Sequence, residues 1–173
     1  MRLLTALLAS LVLPVGLGCD ASPASGSAAP APSGAALASS ARPSDAPRFV
    51  PGETSAGVAA AVAAQLAKSP DQRVLVYVGA SWCEPCHVFH RAVTAGAVDE
   101  ALPGVVFVEY DWDRDSAALK AAGYDTKMLP LFAVPEASGR ASGRQIAGSI
   151  KGPGATQNLV PRLTRLLAGE SVD

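Results

Sequence analysis

Between about residues 48 and 173 the sequence predicts an α/β domain: a central mixed β-sheet with helices on both faces. Three observations predict it. Arg73 to Val78 and Val105 to Tyr110 are near-continuous apolar runs, as expected for strands covered on both faces. Segments with apolar residues at helical spacing lie before, between and after them. Finally, the runs Leu131 to Val134 and Gln145 to Ile150 flank the Gly- and Ser-rich stretch Ala137 to Arg144, which reads as a hairpin.

The elements follow in order. Thr54 or Ser55 is placed to cap a helix through Val58, Val62 and Leu66 that ends near Lys68-Ser69-Pro70. After the first strand, Gly79 to Trp82 turns into a helix beginning around Glu84-Pro85, where proline is tolerated in the first turn. Val88, Phe89, Ala92 and Val93 form its apolar stripe, and His87, His90, Arg91 and Thr94 its polar face. Ser116 to Ala122 is a short helix stopped by Gly123. Leu159 to Leu167 closes the domain as a helix, with Pro161 expected in its first turn. The predicted order is α β α β α β β α.

Ahead of the domain lie two segments of different composition. Met1-Arg2, the apolar stretch Leu3 to Leu17 and the small residues before Cys19 describe an export signal over residues 1–18. The placement of Cys19 resembles that of a bacterial lipoprotein signal, which implies a lipidated Cys19 and a membrane anchor. Gly16 stands where such signals usually carry leucine, and ordinary cleavage leaving Cys19 a free thiol is the alternative. Residues 19–47 form a linker: 24 of the 28 residues from Asp20 to Pro47 are Ala, Ser, Pro or Gly. Such a segment cannot bury enough apolar surface to offset its ordering entropy. As a flexible coil it holds the domain roughly 30 Å from its anchor. The chain of 173 residues carries a formal net charge of −1, so it has no electrostatic footprint for nucleic acid.

The chemistry concentrates in Ala80-Ser81-Trp82-Cys83-Glu84-Pro85-Cys86-His87, where the first strand meets the second helix. A Cys-x-x-Cys at a helix N-terminus sets its first sulfur beside unpaired N–H groups and the positive dipole end, which favour the thiolate. A mixed disulfide formed by Cys83 is then resolved by Cys86 one turn on. Three other readings compete. Two cysteines make half of a zinc site, with only His87 and His90 to complete it. Cys-Glu-Pro-Cys-His also fits the attachment pattern of c-type haem. The remaining one is a purely structural disulfide.

Trp82-Cys83-Glu84-Pro85-Cys86, entered from a strand, resembles the thioredoxin active site, Trp-Cys-Gly-Pro-Cys. Met128-Leu129-Pro130 before the next strand resembles that family's cis-proline loop, 47 residues beyond Cys83. Within the thioredoxin-like superfamily the chain looks like the exported domains, including the C-terminal domain of the transmembrane disulfide reductase. The resemblance covers about residues 54–168. It implies a thioredoxin fold, a cis bond at Pro130, and a groove rimmed by Trp82, Leu129 and Pro130 in which an extended substrate pairs with the backbone at Leu129.

Departures from the pattern sharpen the expectations. Tyr77 stands where the family carries a buried aspartate, Glu109 where it carries a lysine, and Leu131 where threonine follows the cis-proline. Glu109 becomes the candidate acceptor for the Cys86 proton, provided its strand register turns it inward. Glu84 sets a negative charge beside the Cys83 thiolate. His87, four residues beyond Cys83, favours that thiolate when cationic. His90 is expected to be solvated; with His87 it makes at most a weak copper site. Asp111, Asp113 and Asp115 read as a solvated strand end and helix start.

The expected function is thus an extracytoplasmic thiol–disulfide oxidoreductase of the bacterial periplasm, acting as a reductant of protein disulfides. Cys83 is the nucleophile, Cys86 the resolving thiol and Pro85 a tuning residue. No cofactor or metal is expected, the partners being protein thiols and disulfides, an upstream electron donor and, through the lipid anchor, a membrane. A monomer is expected. The alternative is a copper or c-type haem protein using Cys83, Cys86 and His87.

Overall fold

The computed structural model describes residues 45–172. The signal at residues 1–18, Cys19 and nearly all of the linker lie outside the described residues. The elements are β1 (Arg48–Pro51), α1 (Val58–Lys68), β2 (Arg73–Gly79), α2 (Glu84–Thr94), β3 (Val105–Asp111), α3 (Trp112–Ala121), β4 (Leu131–Pro135), β5 (Ala141–Ala147) and α4 (Ala155–Leu167). The five strands form one sheet in the order β1-β3-β2-β4-β5. β1 and β2 both run parallel to β3, while β4 is antiparallel to β2 and β5 to β4. This is a thioredoxin fold with a mixed sheet.

Side-chain alternation along the central strands divides the core in two. Leu75, Tyr77, Val105, Phe107 and Phe132 face Phe89 and Val93 of α2 and Leu159, Leu163 and Leu166 of α4. Val74, Val76, Val78, Val106 and Val108 face Val58 and Val62 of α1 and Leu119 of α3. Each central strand therefore buries both faces, which is why β2 and β3 read as continuous apolar runs. Tyr77 and Glu109 are register partners, so both point toward the α2–α4 layer. Among the described residues no helix is long and apolar enough to cross a membrane.

Five features differ from expectation. β1 was not foreseen. It is a four-residue edge strand ending in proline, and Phe49, its largest residue, packs against Tyr77 and Phe107 with ring centroids 5.1 and 5.2 Å apart. Neither Thr54 nor Ser55 caps α1: Gly57 holds the N-cap position, and the Thr54 carbonyl accepts its N–H. α3 begins at Trp112, because the Asp111 carboxylate accepts the Arg114 N–H at 3.1 Å and caps the helix four residues early. α4 begins at Ala155, which puts Pro161 in the helix interior rather than the first turn. Pro161 and Gln157, whose carbonyl loses its partner to the proline, are both exposed, so water can replace the missing bond. β5 begins at Ala141 and ends before Ile150, which is exposed.

Candidate active site

β2 delivers the chain to the site at Gly79, and the buried Ala80 precedes two exposed residues, Ser81 and Trp82. Cys83 is the N-cap of α2 and its sulfur accepts the Cys86 N–H at 3.3 Å, while Pro85 occupies the first turn, where no N–H is needed. Cys83 and Cys86 are joined by a disulfide and both are buried. The Leu129–Pro130 peptide is cis, as the resemblance implies. The Pro130 carbonyl accepts the Gly148 N–H at 2.9 Å, and Thr126 braces Met128, donating to its carbonyl and accepting from its N–H.

The two sulfur-bearing residues line different spaces. Cys83 borders a groove of about 480 Å³ together with Trp82, Pro85, Trp112, Met128 and Leu129. Cys86 borders a second cavity of about 360 Å³, shared with Tyr77, His87, His90 and Glu109. Trp82 is 65% exposed and its indole N–H donates to Asp113 at 2.9 Å, which fixes the ring at the groove edge. Of the residues expected to rim a substrate groove, Trp82 and Leu129 border this space. Pro130 is buried and does not line it, whereas Met128, 61% exposed, does.

Around Cys86 the two histidines are held differently. His87 is exposed, but its Nε2 lies 2.7 Å from the Ser81 carbonyl and donates to it, tying the ring back across the turn. His90 is not simply solvated. Its ring stacks on Phe49 at 4.2 Å with only 7° between the planes, and its Nε2 lies 3.6 Å from Glu109 Oε1. Glu109 thus faces α2, at the mouth of the Cys86 cavity, with its side chain 38% exposed. Beneath it, burial and then the Glu109 charge push the Tyr77 phenol well above the usual tyrosine range. Tyr110, on the opposite sheet face, is pushed up to about 12, first by burial and then by Asp115 and Glu53.

The aspartate series is likewise more than a solvated strand end. Asp115 is buried, accepts the Asp111 N–H at 3.0 Å and receives two Arg114 guanidinium N–H groups at 2.9 and 2.8 Å. Those Arg114 bonds chiefly hold its carboxyl below the usual aspartate range, against the opposing effect of burial. Glu84 accepts the Gly152 N–H at 3.1 Å and so anchors the loop after β5 to the start of α2. Among the described residues no group of three or more His, Cys, Asp or Glu side chains is arranged to hold a metal ion.

The sequence reading did not foresee Phe49 at the site, and it took His90 only as solvated or a weak metal ligand, Met128 only as part of the proline loop and Asp113 only as a solvated helix start. His90 alone carried a usable signal, because it lies four residues beyond Cys86 on one helix face.

Residues 55–137 match a family model described as thioredoxin-like. Over that segment the chain is similar to thioredoxin-like proteins. The match begins after β1 and ends after β4, so β5 and α4 of the domain extend beyond it. Among solved structures, a mutant thioredoxin from Halobacterium salinarum NRC-1 is 19% identical over 75% of this chain and 95% of its own, with a TM-score of 0.44. Thioredoxin from Trichomonas vaginalis is 25% identical over 61% of this chain and 87% of its own, with a TM-score of 0.41. No curated protein matches the sequence.

Proposed function

We propose that this thioredoxin-like domain is an extracytoplasmic thiol–disulfide oxidoreductase that reduces protein disulfides, held to a membrane through a lipidated Cys19. The observation that carries the chemistry is the division of the pair, with Cys83 on the groove and Cys86 on the cavity that Glu109 also lines. In the reduced protein the Cys83 thiolate attacks one sulfur of a substrate disulfide and displaces the other as a thiolate. Glu109 takes the Cys86 proton, and the Cys86 thiolate attacks the Cys83 sulfur. The Cys83–Cys86 bond forms, the mixed disulfide breaks and the second substrate thiol leaves. Two electrons have passed to the substrate, so a further dithiol donor must restore the protein.

Groove and motif supply the remaining roles. An extended substrate lies between Trp82 and the Met128-Leu129 wall, pairing with the backbone at Leu129 as an added strand. The export signal and the linker support placement in a bacterial periplasm, where protein disulfides persist.

Reduced full-length protein mixed with a fluorescent cystine peptide tests the reading. Wild type releases both peptide thiols. Cys83→Ser releases none, and Cys86→Ser stops at a peptide adduct on Cys83 visible by mass spectrometry. Turnover surviving in Cys83→Ser, or an adduct on Cys86 alone, would remove it. A Cys19→Ser variant should shift from the membrane to the soluble fraction; one that stays membrane-bound removes the anchor.

A further inference from the structure

We infer that His90 is a positioning residue for the resolving step, holding the Glu109 carboxylate at the Cys86 cavity while Phe49 holds the imidazole. The inference rests on the proposed role of Glu109 as acceptor of the Cys86 proton.

Glu109 needs such a partner. Its side chain is 38% exposed at the cavity mouth, and a glutamate with several free torsions loses rotamer entropy when confined to one place. Three side chains beside the cavity can carry positive charge: His87, His90 and Arg114. His87 is engaged by the Ser81 carbonyl, and Arg114 by the Asp115 carboxylate. His90 is the one turned to Glu109. The remaining ionisable side chains lining the cavity, besides Cys86 itself, are Tyr77, one strand over on β2, and Tyr110 and Asp111, next along β3.

Two further features favour positioning over incidental contact. His90 follows Cys86 by four residues on α2, so the imidazole rises over the resolving cysteine's own helix face. The near-parallel stack on Phe49 removes the ring's freedom to swing away, and Phe49 is itself fixed against Tyr77, Phe89 and Phe107. At 3.6 Å the His90–Glu109 approach is longer than a hydrogen bond. A protonated imidazole at that distance steers the carboxylate electrostatically, while the carboxylate oxygens keep the capacity to accept a proton. The reacting atoms stay with their owners: the Cys86 proton goes to Glu109, and His90 neither gives nor takes one.

The test separates attack from resolution in the cystine-peptide reaction, using the full chain. Attack is second order in peptide, whereas resolution is the first-order release of the second thiol. Glu109→Gln is expected to slow resolution about 100-fold, the low end for a positioned proton acceptor, with attack unchanged. His90→Gln is expected to slow resolution about 5-fold, the size of a half-exposed ion pair, again with attack unchanged. In the Glu109→Gln background, His90→Gln should then have no further effect, an outcome that a purely structural role for the imidazole does not produce. If Glu109→Gln leaves resolution unchanged, the acceptor role falls and this inference falls with it. If Glu109→Gln slows resolution but His90→Gln leaves it unchanged, slows attack equally, or acts equally in both backgrounds, the inference alone is overturned.

Discussion

Replacing Phe49 by alanine tests whether β1 is an integral part of the domain. Strand β1 lies outside the segment matched by the family model, and only Arg48 to Pro51 form it. Yet Phe49 meets the rings of Tyr77, Phe89, His90 and Phe107 at centroid distances of 5.1, 6.4, 4.2 and 5.2 Å. Truncating a fully buried phenylalanine costs about 3–5 kcal/mol, and the partial exposure of Phe49 brings the expected loss to about 2–3 kcal/mol. For a domain of this size roughly 4 °C of Tm goes with each kcal/mol, so Phe49→Ala should melt about 10 °C lower than wild type. Thermal unfolding of the oxidised protein, followed by circular dichroism, reads this directly. A drop below about 2 °C would mean that the aromatic cluster does not depend on β1 and would refute the reasoning.

Three further outcomes follow from the same geometry. Arg114 chiefly holds the Asp115 carboxyl below its usual range, so the stability this group adds is present above the unfolded value near 4 and is lost as pH falls through the folded one. The gap in urea midpoint between wild type and Asp115→Asn should therefore be widest at neutral pH and close in acid; a gap independent of pH contradicts it. Glu84→Gln removes a negative charge beside Cys83, so alkylation of the reduced Cys83 should reach half-rate at a lower pH than in wild type. An unmoved or higher midpoint removes the tuning role of Glu84. Gly139 has φ 76°, and a Cβ there would lie 1.9 Å from the Ala59 carbonyl oxygen, a backbone atom that cannot swing aside. Gly139→Ala should lose well over 1 kcal/mol in urea unfolding, combining the strained backbone with the clash; a neutral substitution contradicts the packing of that turn on α1.

What could be read from the sequence was set by how local the signal was. β2 and β3 were legible because burial on both faces leaves only apolar residues between Val74 and Val78 and between Val105 and Val108. The Cys83–Cys86 pair at a helix N-terminus was legible from spacing, and the cis bond at Pro130 from resemblance. β1 was not: Arg48-Phe49-Val50-Pro51 is too short for a periodic pattern, borders the Ala- and Pro-rich linker, and gains its strand state from pairing with β3 more than fifty residues away. The role of His90 was hidden for the same reason, because its two neighbours, Phe49 and Glu109, come from strands on either side of it in sequence. Asp115 looked like one of three solvated carboxylates because nothing local reports that Asp111 and Arg114 fold back onto it.

The reduction potential of the Cys83–Cys86 pair, titrated in dithiothreitol and glutathione buffers, decides whether the domain works as a reductant. A reversible two-electron titration near that of thioredoxin, about −270 mV, is expected, as suits a reductant supplied by an upstream donor. A value near −120 mV would make the pair a disulfide donor and contradict the proposed direction, and a pair that does not exchange at all would contradict the redox function itself.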